Sequence, residues 1–394
     1  MLSLLFSQIS AGRKHLKDAG IQAPASARLL VLKARGYLVQ NIAHKVAIVG
    51  AGSWGTAFAK IVADTVETHG ASTGVVLWGR NADAMSAMAD TRINERYFPG
   101  VVLSQSIEYT ADIQHALAGA DIVVLAVPAQ SLRENLLKWG SFLEPHAILV
   151  SLAKGLERGT GYRMSEVIQE VLTQVSPVNS NDISGRICVL SGPNLAKEII
   201  QEEPTASVVA ASSEQTAEKV AAICANSYFR PYTNTDIVGV EIGGLVKNVI
   251  ALCVGICEGK DYGDNSKASV MTRGLAETTR LALALGGKLE TMSGLAGMGD
   301  LIATCSSPLS RNHMAGKHLA QGVSPEDLGT VMTQTAESVK TAPVVAELAQ
   351  RHGIEMPITE AVVAVLQNRI TVDELAPKLL GRALKSESAH LSRS

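Results

Sequence analysis

A single lysine, Lys247, with an amide directly after it at Asn248, lies in the long apolar segment TDIVGVEIGGLVKNVIAL, residues 235–252. Burial disfavours an ammonium group unless a partner neutralises it or a reaction uses it. A desolvated lysine loses its proton more readily, and the neutral amine then serves as a base for oxidising an alcohol. The plainer alternative, a lysine snorkelling from an amphipathic helix, sits badly with such apolar neighbours. A second lysine, in Ser151-Leu152-Ala153-Lys154-Gly155, follows a strand candidate and is expected at the carboxyl edge of a sheet. Ligands of open α/β sheets bind along that edge, which suits Lys154 to orienting a substrate oxygen or phosphate rather than decorating a surface. Ser191-Gly192-Pro193-Asn194 follows another strand candidate. There Gly192 permits close backbone approach, and Asn194 offers both donor and acceptor. Gly294-Leu295-Ala296-Gly297-Met298-Gly299-Asp300 is a glycine-dense approach to one carboxylate, which either reaches a site or caps a helix. Ser306-Ser307-Pro308-Leu309-Ser310-Arg311-Asn312 gathers hydroxyls, a guanidinium and an amide, the groups that hold a phosphate.

Well upstream, Gly50-Ala51-Gly52-Ser53-Trp54-Gly55 directly follows the run Lys45-Val46-Ala47-Ile48-Val49. In a dinucleotide-binding turn Gly50 allows the sharp bend, Gly52 admits a pyrophosphate, and Gly55 lets the next helix pack close. The first amides of that helix, with its dipole, face the phosphates. A purely structural glycine turn is the alternative. The second strand ends Leu77-Trp78-Gly79-Arg80-Asn81, with no acid until Asp83. An acid there would hold the ribose hydroxyls of NAD, whereas Arg80 is placed to meet a 2′-phosphate or to stack on adenine. The expected cofactor is NAD(P), leaning towards NADP, with a solvated surface arginine as the other reading of Arg80. Ala126-Val127-Pro128 ends a further strand where a loop commonly passes beside the cofactor.

These residues need a scaffold. From Lys45 onward, strand candidates 45–49, 75–78, 122–127, 147–152, 187–190 and 206–211, with 229–233 closing the sheet, alternate with helical stretches. That alternation is the signature of a parallel sheet with crossover helices. From about Asp236 to about residue 385 the pattern is helical and rich in Ala, Leu, Gly and Met. The expected architecture is α/β: a Rossmann-type dinucleotide-binding domain over 45–234, then an all-helical substrate domain over 235–385 and a tail over 386–394. Ser176 to Ser184 reads as an exposed polar loop.

With 394 residues the chain has room for two substantial cores. A formal net charge of -2 gives no footing for nucleic acid or a strongly polyanionic partner. No apolar run is expected to approach the length of a bilayer crossing, so membrane insertion is not anticipated. The five cysteines, Cys188, Cys224, Cys253, Cys257 and Cys305, are scattered and never form a C-x-x-C pair. That argues for a reducing compartment, with a cytoplasmic location, and against a structural metal site. Cys253 and Cys257 share a helix face, as small core residues would. The first 44 residues stand apart, with six Lys/Arg (Arg13, Lys14, Lys17, Arg28, Lys33, Arg35) against one acid, Asp18. They read as an organellar transit peptide, a loosely ordered tail, or a start site set too early. No methionine occurs between Met1 and Met85, so a later start would use a codon such as that of Leu38 or Val39.

Taken together, GAGSWGTA, SLAKG, SGPNLAKE, TDIVGVEIGGLVKNVIAL, GDNSKASVMTRGLAE, GLAGMGDLIATCSS and SRN resemble the bacterial-type NAD(P)-dependent glycerol-3-phosphate dehydrogenases, in order over about residues 45–380. The last four motifs are specific to that family. The resemblance implies reversible hydride transfer between dihydroxyacetone phosphate and sn-glycerol 3-phosphate, which supplies glycerophospholipid synthesis. By position, Lys247 matches the family's proton-transferring lysine, and Lys154 a lysine touching both cofactor and substrate. Asp300, Ser310, Arg311 and Asn312 match substrate-binding positions, Arg311 reaching the cofactor as well. Ser53, Trp54, Arg80, Tyr97, Ala196 and Glu337 match cofactor contacts. Three departures concern fine geometry: Ala153 where threonine is usual, Asn194 where a small hydroxyl residue is common, and Ser338 after Glu337 where glycine is typical. Residues 1–44 have no counterpart.

The implied mechanism has Lys247 stabilising the developing alkoxide and giving it a proton, with Lys154 adding positive charge nearby. Asp300 would hydrogen-bond Lys247 or a substrate hydroxyl, while Arg311 and Asn312 hold the phosphate. Two rivals stand beside this reading. A β-hydroxyacid dehydrogenase shares the two-domain build but takes a carboxylate substrate, which the 306–312 cluster disfavours. A catalytically silent NAD(P)-binding regulator would not need Lys154, Lys247, Asp300 and Arg311 together. The oligomeric state is left open, with a homodimer through the helical domain as one arrangement.

Overall fold

The computed structural model describes residues 43–175, 183–332 and 336–383. The N-terminal extension up to residue 42, the polar stretch over 176–182 and the C-terminal tail lie outside the described residues. Among the described residues eight strands form one sheet, in the order β3-β2-β1-β4-β5-β6-β7-β8. They are β1 (Lys45–Val49), β2 (Gly74–Trp78), β3 (Ile107–Thr110), β4 (Ile122–Leu125), β5 (Ile148–Ser151), β6 (Ile187–Ser191), β7 (Thr205–Ala211) and β8 (Phe229–Asn234). The chain runs outward from β1 to β3, then returns to lay β4 on the other side of β1. That reversal opens a crevice at the carboxyl ends of β1 and β4, where open α/β sheets take their ligands.

Two features depart from the expected strands. The edge strand β3 was not foreseen: in Ile107-Glu108-Tyr109-Thr110 only Ile107 is buried, too short an alternation to register as a pattern. The sheet is also not wholly parallel, since β7 runs antiparallel to β6. The link between them carries only the short helix Ala196–Ile199, and an antiparallel neighbour needs no long crossover. The helix Glu214–Cys224 then returns the chain to β8, which is parallel to β7.

The central strands are buried on both faces, and apolar clusters cover each side of the sheet. Beyond Asn234 the described chain is helical, built around one long helix, Ile237–Gly259, buried without interruption from Gly239 to Cys257. The expectation that no apolar run could cross a bilayer is corrected here: this 23-residue helix is long and apolar enough by length and composition. It is instead the axis of the helical core, with 89% of its most apolar window buried inside the molecule. Asp236 fixes its start, accepting from Gly239 N at 2.8 Å and from Lys288 N at 2.8 Å. The helix Arg311–Ala320 lies unusually close, because a side chain at Gly316 would run into Leu252 O and one at Gly255 into His313 O. The two halves meet at a seam of Val189, Val208 and Ala210 from the sheet against Val240 and Ala296.

Candidate active site

Gly50 leaves β1 at φ 126°, in the region open to glycine, and a Cβ there would lie 2.7 Å from Ala126 O at the end of β4. A Cβ on Gly55 would strike the Gly50 carbonyl oxygen, so the helix Ser53–His69 can start against the strand only with glycine there. Gly52 is different: nothing lies within 4 Å of where its Cβ would be. The loop is thus closed towards the sheet and open above Gly52, with no side-chain cap on the helix amides. Trp54 Nε1 beside it is buried and has no hydrogen-bond partner among the described residues. Uncapped amides over open space, with an orphaned indole N–H, fit the pyrophosphate of a dinucleotide. Arg80 is exposed just past β2, next to Asn81, which caps the helix Ala82–Thr91 by accepting from Ala84 N at 2.8 Å. Tyr97 and Ala196 are half-buried and, like Trp54, pack against the sheet's core cluster.

Past β5 the chain delivers Lys154 to the same edge. Its Nζ donates to Gly192 O at 2.9 Å and to Asp300 Oδ2 at 2.6 Å. Gly192 turns there at φ 140°, with Ser207 packed where a side chain would stand. From the helical half, Lys247 Nζ lies 2.6 Å from Asp300 Oδ1 and donates to Thr304 Oγ1 at 2.5 Å. One carboxylate therefore bridges two lysines from different halves, with Asp300 only 1% exposed and the lysine side chains 14% and 8%. Asp300 is not an N-cap: it is the first residue of the helix Asp300–Ser306, and Gly299 holds the N-cap position. Burial pulls the Lys154 ammonium down to about 8; Asp300 opposes this and the Lys247 charge adds to it.

Close approach of the long helix makes this possible, because a side chain at Gly244 would strike Ser191 Oγ beside Lys154. Both side-chain atoms of Asn194 are buried without a partner among the described residues, so its amide remains available. Ser310 caps the helix Arg311–Ala320, accepting from His313 N at 3.3 Å. Arg311 is exposed at the first turn of that helix. Asn312 is buried and acts as a tie: Nδ2 donates to Asn248 Oδ1 at 2.9 Å, and Oδ1 accepts from Ser338 N at 3.0 Å. That second bond holds the start of the helix Glu337–Arg351, whose Glu337 is exposed yet adds negative potential at Lys154. Sequence reasoning overlooked Thr304, which also donates to Asp300 Oδ1 at 3.3 Å. Its signal was present, one turn after Asp300 on the same helical face.

The family model for the N-terminus of NAD-dependent glycerol-3-phosphate dehydrogenase matches residues 45–217, and that for the C-terminus matches residues 236–377. A glycerol-3-phosphate dehydrogenase [NAD(P)+] of Thermobifida fusca is 50% identical over 345 residues, covering 87% of this chain and 98% of the relative. One from Streptomyces griseus is 51% identical over 343 residues, with the same coverage of 87% and 98%. The crystal structure of glycerol-3-phosphate dehydrogenase from Coxiella burnetii superposes with a TM-score of 0.78 at 33% identity, covering 86% of this chain and 100% of that one. These matches favour the phosphate-substrate reading and lend none of their weight to the hydroxyacid or silent-regulator alternatives.

Proposed function

The chain belongs to the NAD-dependent glycerol-3-phosphate dehydrogenase family, and from that premise we propose how its residues divide the work. It is an NAD(P)-dependent oxidoreductase that interconverts dihydroxyacetone phosphate and glycerol 3-phosphate. When bound, NAD(P)H would supply the hydride for reduction and NAD(P)+ would accept it for oxidation. Lys247 gives a proton to the C2 oxygen as it becomes an alkoxide, and takes one back during oxidation. Lys154 lends a second positive charge to that oxygen. Asp300 keeps both ammonium groups in one place and partly neutralised. Arg311 binds the substrate phosphate, with Ser310 and Asn312 setting the start of its helix, so that remote binding energy helps to position the reacting carbon. Asn194 and the Gly192 backbone line the same crevice. Gly50, Gly52, Ser53, Trp54, Gly55, Arg80, Tyr97, Ala196 and Glu337 border the dinucleotide.

The observation that carries this division is the Lys154–Asp300–Lys247 bridge across the two halves. Arg80, exposed where an acid would select NAD, supports a preference for NADP. The reading brings with it a cytoplasmic enzyme, acting as a homodimer, that supplies the backbone of glycerophospholipids. The first test is initial rates with dihydroxyacetone phosphate, using NADPH and NADH separately at matched concentrations. Oxidation of both at comparable kcat/KM would remove the argument from Arg80. No oxidation of either, with both nucleotides still bound, would defeat the assigned roles.

A further inference from the structure

Lys154 and Lys247 reach Asp300 from opposite halves, so their separation depends on how the halves are fastened. The segment from Lys154 to Ser165 is part of that fastening. Leu156 is fully buried in the helical core, while its carbonyl accepts from Gln130 Nε2 of the sheet half at 2.6 Å. The segment is stiff: Leu156 bridges Arg163, and Glu157 N donates to Tyr162 O at 2.9 Å. An exposed tie joins Arg351 Nη1 to Thr160 O at 3.0 Å. The far end meets Glu241 of the long helix, a carboxylate only 9% exposed. Glu241 Oε1 accepts from Ser165 N at 2.9 Å. Its Oε2 accepts from Ser165 Oγ at 2.5 Å and from Arg163 Nη1 at 2.8 Å. Arg163 is itself steadied by Glu166 through Nη2 at 2.8 Å.

Burial pushes the Glu241 carboxyl up, against Arg163 and Ser165, so an apolar residue would suffer less desolvation at this position. A buried carboxylate with three donors fixes orientation instead, because displacing the helix leaves charge unpaired on both sides. Glu241 stands six residues before Lys247, about 9 Å along the helix axis. We propose that Glu241 is a positioning residue: by holding the long helix to the Arg163–Ser165 turn, it sets the separation of Lys154 and Lys247 across Asp300. This rests on the roles given above to the two lysines.

The test compares full-length Glu241→Gln, Arg163→Lys and Lys247→Ala with the unaltered enzyme. Glu277→Gln serves as a control, since Glu277 is a buried carboxylate that receives Ile358 N and Thr359 N far along the helical half. The readouts are kcat, KM for dihydroxyacetone phosphate, the pH profile of kcat/KM, and NADPH Kd from tryptophan fluorescence. Glu241→Gln is expected to lower kcat about tenfold or more while NADPH Kd stays within about twofold, as misplacement of reacting groups does. Its alkaline limb should move, because the surroundings of Lys154 change. Arg163→Lys should do the same more weakly, and Glu277→Gln should do neither. Turnover in Glu241→Gln within about twofold of the unaltered enzyme, with an unmoved pH profile, overturns the proposal. An equal loss in Glu277→Gln overturns it too, marking a general stability effect. If Glu241→Gln does not fold, Arg163→Lys decides by the same criteria. Persisting turnover in Lys247→Ala would defeat the lysine roles themselves; an inactive Lys247→Ala beside a normal Glu241→Gln defeats the positioning role alone.

Discussion

Lys247 Nζ and Asp300 Oδ1 stand 2.6 Å apart, both almost fully buried. A charge that an apolar helix could not carry alone is thus matched by a carboxylate brought from elsewhere in the helical half. The same carboxylate holds Lys154 through its other oxygen, leaving a local excess of one positive charge where an alkoxide would form. Asp300→Asn should leave two ammonium groups facing each other without an anion. It is expected to lower kcat by roughly 10²–10⁴, the range set by a displaced proton donor, while NADPH binding survives. Steady-state kinetics with a parallel binding titration would check this, and near-normal kcat would remove Asp300 from the mechanism.

Lys154, pulled down to about 8, should lose its charge as pH rises through that value. The kcat/KM for reducing dihydroxyacetone phosphate is then expected to fall above about pH 8, as positive charge near the reacting oxygen disappears. Arginine stays protonated throughout, so Lys154→Arg should push the alkaline limb upward even if the rate itself drops. A limb unmoved by that substitution would assign the titration to another group.

Glu277 is 1% exposed, and burial pushes its carboxyl from 4.5 up to about 7 despite the hydrogen bonds it accepts from Ile358 N and Thr359 N. Between those two values the folded protein holds more protons than the unfolded chain. Unfolding free energy therefore falls as pH rises through this window, by an amount on the order of 3 kcal/mol from this group. Glu277→Gln should flatten that slope. Denaturant melts at intervals from pH 4.5 to 7.5 would show it, and parallel curves for the two proteins would contradict it.

Gly52 and Gly55 separate cofactor binding from folding. Gly55→Ala puts a methyl group into the Gly50 carbonyl and should destabilise by about 1–3 kcal/mol, seen as a lower Tm. Gly52→Ala meets nothing within 4 Å, so its Tm should hold while NADPH Kd rises by about tenfold, some 1.4 kcal/mol of lost contact. If Gly52→Ala binds NADPH normally, the pyrophosphate lies elsewhere.

The dinucleotide half was legible because glycine spacing and β-branched runs are local signals, and both stand directly in the chain. Lys247 was legible by contrast with its neighbours. Lys247 was one of the two partners expected for Asp300, and the structure pairs them. Lys154 as the second partner was not legible, since nothing near it announces a carboxylate 146 positions later. Asn312 shows a related limit: its residue type suggested a ligand contact, and nothing in its surroundings in the chain announces that it also ties Asn248 to Ser338. Strand β3 escaped because an edge strand with one buried residue has no period to detect. The antiparallel turn into β7 escaped because direction within a sheet follows from connection length, not from strand composition.

The long helix Ile237–Gly259 also bears on how the protein is made. Two of its covering surfaces, the helices Arg311–Ala320 and Glu337–Arg351, are encoded well after it. At about 5–20 residues per second, the ribosome leaves those faces of the apolar rod uncovered for roughly 5–20 s after it emerges. A chain arrested near residue 300 should therefore be held by chaperones, and one arrested well past residue 351 should be released. Crosslinking of stalled chains would reveal whether that interval is guarded, which makes synthesis rate, and not only final stability, a determinant of yield.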